Sequence, residues 1–285
     1  MARDFRMVLV DLDGTALTTE KTITPRTRSI LTRLEASGVR VVIATGRAIY
    51  SVRTLFQDVP FRGPVIALNG AAIFSGLTGP LWHVEAIDAE ALDLAMAVLG
   101  RERRIRNLLF EAPDAYFVSR FDDEVRTTFA DYRNLEPHPL EPERVRRAPV
   151  TNILVRPEEP DKEAVHAYLS ALLGAHVRFI RTTWTWLEGL KAGVTKATAM
   201  HVLARRFGIS PDEIVAVGDE WNDVEMLREA GLGIAMANGS DLAKAAADVI
   251  APPNDEDGLA RVLEDVFAVR PEGRRRPGNR WGLNG

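Results

Sequence analysis

The chain has 285 residues, 46% hydrophobic and 27% charged, the balance of a globular protein that can bury a sizeable core. It contains no cysteine, which excludes disulfides, thiolate zinc sites and a cysteine nucleophile, so any metal must be held by oxygen or imidazole. The formal net charge of −4 gives no whole-protein field for nucleic acid, and it is uneven: residues 268–285 carry +4 and the other 267 carry −8.

In chain order, Met7 to Val10 is a short apolar run ending in Asp11, and 39–44 is a β-branched run ending in Thr45 and Gly46. Both read as buried parallel strands. Between them Thr24-Pro25 supplies an N-cap and first helical residue, Ile30, Leu31 and Leu34 keep helical spacing, and Gly38 closes the helix. A third strand, 65–68, runs into Asn69 and Gly70. This is a βαβαβ unit with polar residues at the strand C-termini, where open parallel sheets bind ligands.

From Trp82 to Glu188 the pattern changes. Helical stretches at 89–99, 122–132 and 161–173 alternate with strands at 105–111, 115–119, 152–155, 177–181 and 183–188, the signature of a separate α+β unit. Helix and strand signals of the parallel kind then return: helix 195–207, strand 214–217, helix 223–229, strand 232–236, a short helix, strand 249–250 and helix 258–266. The expected fold is α/β: a Rossmann-like, doubly wound parallel sheet built from 1–81 and 189–267, with an inserted α+β cap at 82–188. The tail 268–285, rich in Gly, Pro and Arg, is expected to be loose. No apolar run approaches the roughly 18 residues of a membrane span, and the start MARDFRM has no apolar signal core, so a cytoplasmic protein without a membrane partner is expected.

Four clusters fall at predicted strand ends or at the start of the following helix. The first is Asp11-Leu12-Asp13-Gly14-Thr15. Two carboxylates two residues apart need a turn to converge, and Gly14 permits it. One can attack an electrophilic phosphorus while the other moves a proton, and a hard cation can neutralise the pair. An Asp turn that merely caps the strand is the alternative. In the second, Thr45 and Gly46 before Arg47 offer a hydroxyl and free N–H groups at a helix start, a phosphate-oxygen site or simply a cap. In the third, Lys196 sits in the first turn of a helix, where it opposes the dipole; there it either holds a phosphoryl group with its nucleophile or is solvated. The fourth, Gly218-Asp219-Glu220-Trp221-Asn222-Asp223, concentrates acids after an apolar strand beyond what capping the next helix explains.

In this order the clusters resemble the haloacid dehalogenase superfamily, whose motifs are DxDGT, a strand-ending Thr or Ser, a Lys, and GDxxND. The segments ATGR (44–47), LNGA (68–71), GVTK (193–196) and GDEWND (218–223) resemble its Cof-type sugar-phosphate phosphatases, which carry a large α/β cap between the third strand and the lysine motif. Two departures are small: Ala16 stands where Leu commonly follows DGT, and Met236-Ala237-Asn238-Gly239 alters the family's Met-Gly-Asn-Ala. The cap matches only in size, place and segment order.

The resemblance implies a Mg²⁺-dependent phosphatase acting on a small phosphorylated metabolite, a sugar or polyol phosphate. Asp11 would be the nucleophile and Asp13 the acid and base. Mg²⁺ would be held by the Asp11 carboxylate, the Asp13 main-chain carbonyl and Asp219, with Asp223 direct or through water. Thr45, Gly46, Lys196 and Asn222 would bind the transferring phosphoryl group. A sugar phosphomutase of the same architecture, or a phosphate-sensing protein without turnover, are the alternatives. Asp13 argues against a dehalogenase, and the missing spans against a P-type pump. Trp184 and Trp186, on one face of a predicted strand, read as cap packing. The histidines form no HExxH pair, Gly231-Leu232-Gly233 lacks the third glycine of a dinucleotide loop, and there is no GxSxG elbow.

Overall fold

The computed structural model describes residues 4–128, 137–181 and 186–267. The N-terminal part contributes β1 (Met7–Val10), α1 (Pro25–Ala36), β2 (Arg40–Ala44), α2 (Ile49–Leu55), β3 (Val65–Ala67), β4 (Ala72–Phe74) and β5 (Leu81–Val84). The middle contributes α3 (Ala89–Leu99), β6 (Ile105–Ala112), β7 (Ala115–Val118), α4 (Asp123–Thr128), β8 (His138–Pro139), α5 (Pro142–Arg147), β9 (Asn152–Pro157), α6 (Lys162–Leu173), β10 (Val177–Arg181) and β11 (Leu187–Lys191). The last part adds α7 (Lys196–Phe207), β12 (Ile214–Gly218), α8 (Val224–Glu229), β13 (Leu232–Met236), α9 (Asp241–Ala246), β14 (Val249–Ala251) and α10 (Gly258–Val266).

These strands form two sheets. One has eight strands in the order β14-β13-β12-β1-β2-β3-β4-β5, parallel from β14 to β3 and antiparallel beyond. Its central strand, β1, is fully buried because both faces are covered: Val8 and Val10 pack into the layer with α1, α2 and α10, and Met7 and Leu9 into the layer with α7, α8 and α9. A strand buried on both faces must be apolar at every position, which is why it reads as a continuous run and not as an alternation. The predicted caps form as expected. The Thr24 side chain accepts from the Thr27 N–H at 3.1 Å with Pro25 in the first turn of α1, and Thr195 forms a capping box with Thr198 at the start of α7.

The second sheet has six strands in the order β10-β11-β9-β6-β7-β8, antiparallel except for β7-β8. Leu108, Phe110, Ile153, Val155, Val177, Phe179 and Leu187 pack on α3, α5 and α6, giving this sheet a core of its own. Two strands straddle the expected junctions: β5 runs past 82 as the edge of the eight-stranded sheet, and β11 runs past 188 within the six-stranded one. The last strand of the insert was expected at 183–188; the described strand is Leu187–Lys191, because the register that buries Leu187 against α6 continues through Leu190. Residues 182–185, with Trp184, and the tail 268–285 lie outside the described residues, whereas Trp186 is buried with Leu109, Tyr116 and Val125. Among the described residues no helix is long and apolar enough to cross a membrane.

Candidate active site

β1 and β12 are parallel neighbours in register, Val10 opposite Val217, so both chains leave the sheet at the same end. The Asp11 N–H donates to the Val217 carbonyl at 3.0 Å, which places Asp11 beside the loop carrying Asp219. After Asp11 the chain makes a wide turn, with Ala16 N–H donating to the Asp11 carbonyl and Leu17 N–H to the Leu12 carbonyl. Gly14 sits in it at φ +77°, and a Cβ there would lie 2.1 Å from Asp219 Oδ2. Glycine is therefore required both by the backbone conformation and by the carboxylate that packs against it.

Asp11, Asp219 and Asp223 are buried, each offering a carboxylate oxygen within 4.8 Å of the others. Lys196 enters from α7 with its ammonium fully buried, donating to Asp11 Oδ1 at 2.7 Å and to Asp223 Oδ1 at 2.6 Å. Asp223 is held further by the Asp219 and Glu220 N–H groups, both donating to Oδ2. Thr15 donates to Asp219 Oδ1 at 3.2 Å. Asp11 Oδ2 accepts no hydrogen bond among the described residues.

The electrostatics follow from three acids sharing one lysine. Burial, opposed by Lys196 and reinforced by the Asp223 and Asp219 charges, raises the Asp11 pKa well above the ordinary value. Burial and the Asp223 charge lift Asp219 to about 6. Burial works against the Lys196 ammonium, but Asp11 and Asp223 outweigh it and raise its pKa. The cluster is thus short of positive charge, and its hard oxygen donors, without sulfur or imidazole, suit a divalent cation of the magnesium or calcium type.

Asp13 faces elsewhere. Its carboxylate accepts a bidentate pair from Arg47, Nε and Nη2 both at 2.6 Å, and a third bond from Lys21 Nζ at 2.7 Å. Burial opposes ionisation there, but these donors outweigh it and bring Asp13 down to about 2. The Asp13 side chain is therefore not part of the Asp11, Asp219 and Asp223 group.

At the β2 end Thr45 is buried, and Arg47 N–H donates to its hydroxyl at 3.2 Å. Asn222 donates to Asn69 Oδ1 at 2.9 Å, and Asn69 also lies against Gly46. Leu68 and Asn69 both take positive φ, 52° and 54°, and Gly70 follows at 107°, where a Cβ would lie 2.1 Å from the Thr195 carbonyl. This strained turn ties the β3 end to the start of α7 and so sets where Lys196 enters.

These residues line a cavity of about 570 Å³: Asp11, Asp13, Lys21, Thr45, Gly46, Arg47, Asn69, Glu188, Asp219, Glu220, Trp221 and Asn222. A larger cavity of about 680 Å³ lies at the opposite end of β2, between Arg40, Trp82 and Phe207, away from every acidic cluster. Every site residue expected from sequence lines the smaller cavity or, as Lys196 and Asp223 do, lies beneath it in contact with Asp11 or Asp219. Six of the lining residues had no assigned role: Arg47, Asn69, Glu220 and Trp221, although their motifs were noted, and Lys21 and Glu188. A basic residue in a polar turn and an acid on a predicted strand carry no local signal of what they face.

The geometry agrees with the comparisons. The profile of a family described as haloacid dehalogenase-like hydrolase matches residues 8–263. A 5-amino-6-(5-phospho-D-ribitylamino)uracil phosphatase of Bacillus subtilis is 29% identical over 271 residues, covering 92% of this chain and 98% of its own. A haloacid dehalogenase-like hydrolase from Bacteroides thetaiotaomicron superposes with a TM-score of 0.81 at 26% identity, covering 92% of this chain and all of its own. A sugar phosphatase of superfamily subclass IIB superposes at 0.76 with 25% identity, covering 93% of this chain and all of its own. With its motifs at the ends of β1, β2 and β12 and at the start of α7, the chain belongs to the haloacid dehalogenase-like hydrolases, in their Cof-type form.

Proposed function

We propose that the protein is a Mg²⁺-dependent phosphatase that hydrolyses a small phosphorylated metabolite, a sugar or polyol phosphate. The observation that carries this reading is the convergence of Asp11 with Lys196, Asp219 and Asp223 on the floor of a cavity that Asp13 also lines.

Asp11 Oδ2 attacks phosphorus as the bond to the leaving oxygen breaks, giving a phosphoryl group on Asp11. Asp13 delivers a proton to that oxygen, then takes one from the water that cleaves the acyl phosphate. Lys196 fixes Asp11 by its Oδ1 and neutralises charge as the phosphoryl group transfers. The Thr45 hydroxyl, the Gly46 N–H and Asn222 hold phosphoryl oxygens. Asp11, Asp219 and the Asp13 main-chain carbonyl would hold Mg²⁺; Asp223, whose oxygens already accept from Lys196 and two N–H groups, would join through water. The cation supplies charge neutralisation and orients the phosphoryl oxygens. A phosphate dianion entering the cavity competes with Asp13 for Arg47 and Lys21, which releases Asp13 to be protonated.

The unit built on the six-stranded sheet serves as the cap that closes the cavity and excludes water from the first step. The sugar or polyol phosphate class is supported by the names of two relatives, a phosphoribitylamino-uracil phosphatase and a sugar phosphatase. Purified protein should release phosphate from phosphomonoesters with Mg²⁺, and Asp11→Asn should not. Release by that variant at the wild-type rate would overturn the mechanism. Transfer to a second hydroxyl without free phosphate would make the protein a mutase.

A further inference from the structure

Alternation along the six-stranded sheet separates two faces. Leu108, Phe110, Ile153, Val155, Val177, Phe179 and Leu187 form the face packed on α3, α5 and α6. Their neighbours point the other way, so Glu111, Asn152, Glu188 and Arg178 share the opposite face by register: Glu111 opposite Asn152, Glu188 opposite Leu154, and Arg178 opposite Leu190. The same face carries the apolar Leu109, Tyr116 and Leu154, and two of its polar side chains reach the catalytic end of the eight-stranded sheet. Arg178 lies 5.7 Å from the Trp221 ring, and Glu188 lines the cavity with Asp11 and Asp13.

Glu188 is held there by a built support. Asn152, fully buried, donates from Nδ2 to Glu188 Oε1 at 2.7 Å and to Glu111 Oε2 at 3.3 Å. Glu188 Oε2 accepts no hydrogen bond among the described residues, so one oxygen is anchored and the other remains for a ligand. In the proposed mechanism Thr45, Gly46 and Asn222 hold the phosphoryl group, which leaves Glu188, on the same cavity, to meet the part of the substrate that departs. The cations lining the cavity, Lys21 and Arg47, both donate to Asp13, and Arg178, two residues along β10 from the Ile180 that pairs with Glu188, lies over the Trp221 ring.

We propose that Glu188 is a specificity-determining residue that accepts hydrogen bonds from hydroxyl groups of the leaving group and rejects leaving groups that carry their own negative charge. The proposal rests on the phosphatase reading and deepens it. Burial raises the Glu188 carboxyl to about 7, against the Asn152 bond that lowers it, so near neutrality both its forms are populated. A hydroxyl, which donates and accepts, can pair with either form, whereas an ammonium group pairs only with the anion.

The test compares kcat/KM with Mg²⁺ for glycerol phosphate and sorbitol phosphate, for phosphoglycerate, whose leaving group is anionic, and for phenyl phosphate, which offers no donor. The wild type should favour the polyol phosphates over both others by roughly ten-fold or more, the worth of about one well-made hydrogen bond to a charged group. Glu188→Ala should remove roughly ten-fold of that preference, mainly through KM. Glu188→Gln keeps an oxygen for Asn152 and turns an amide NH2 donor to the ligand, which a hydroxyl or a carboxylate can accept; it should retain more of the polyol preference while the rejection of phosphoglycerate weakens. Unchanged substrate ratios in both variants, or parallel losses on phenyl phosphate and the polyol phosphates, overturn the proposal while leaving the phosphatase reading intact. Wild-type protein that releases phosphate from none of these compounds overturns both.

Discussion

Lys196→Met tests the electrostatic argument for the site floor most directly, because methionine keeps the stem and removes only the charge. In the native protein the ammonium sits 2.7 Å from Asp11 and 2.6 Å from Asp223, with Asp219 in the same group. At an effective dielectric constant of about 20, each contact represents roughly 6 kcal/mol of attraction, so leaving both carboxylates ionised and unpaired is not the favoured response. Asp11, whose pKa burial already raises, takes up a proton instead. Against an unfolded pKa of about 3.9, that uptake costs about 4 kcal/mol at pH 7, in the range seen when one partner of a buried pair is removed. Without the ammonium the folded pKa of Asp11 is raised further, so the variant's deficit grows as pH rises through and above the unfolded value. Urea unfolding in EDTA should show a loss of about 4 kcal/mol at pH 7, shrinking by about 1.4 kcal/mol per pH unit toward pH 4. Mg²⁺, by supplying charge to the same acids, should restore part of the stability but not the activity. A loss that does not change with pH, or one below about 1 kcal/mol at pH 7 in EDTA, would refute this account of the floor.

Gly14→Ala should displace Asp219, because the new Cβ would lie 2.1 Å from its Oδ2 at a backbone φ of +77°; weaker Mg²⁺ binding by calorimetry, with a stability loss of about 1–3 kcal/mol, is expected. Arg47→Lys keeps the charge but loses the bidentate fork that the phosphate would take over from Asp13, and kcat should fall about ten- to hundred-fold, read by phosphate release. Glu188 is raised from 4.5 to about 7, so its ionisation weakens the fold as pH rises through that window. Glu188→Gln should match wild-type stability near pH 4 and exceed it by up to about 3 kcal/mol at pH 8; equal denaturation midpoints at both pH values would count against the shift. Chelation of divalent cations should abolish phosphate release, and Mg²⁺ should restore it; full activity in excess EDTA would remove the cation from the reading.

How far the sequence carried depended on whether a signal was local. β1 and β12 were legible because strands buried on both faces must be apolar at every position, and α1 and α7 because Thr24-Pro25 and Thr195 are caps that work within one turn. Asp11, Asp13, Lys196 and the 218–223 loop announced themselves because acids directly after a buried strand, or a lysine opening a helix, are poor choices for stability alone. What was not legible depends on pairing. The short α2, β4 and β8 segments hold their places through neighbours in the sheets and layers, and nothing within their few residues sets their period. Glu188 belongs to the same class. Its meaning comes from Asn152 on β9, which meets it only once β11 and β9 pair in register.

The net charge of −4 likewise becomes interpretable only through the contacts. The floor holds Asp11, Asp219 and Asp223 with one lysine, while the wall holds Asp13 with two cations, Arg47 and Lys21. Each half is unbalanced in the opposite sense. On the proposed reading a divalent cation would correct the floor, and a phosphate dianion would correct the wall by taking over Arg47 and Lys21. Binding of substrate and cation would then be coupled to freeing Asp13 from the ion pairs that hold its pKa near 2. The acid would become available only when there is a leaving group to protonate. The Arg47→Lys variant should show this coupling as a looser dependence of kcat on the substrate's phosphate charge, since a single-point cation releases Asp13 more readily than a bidentate one.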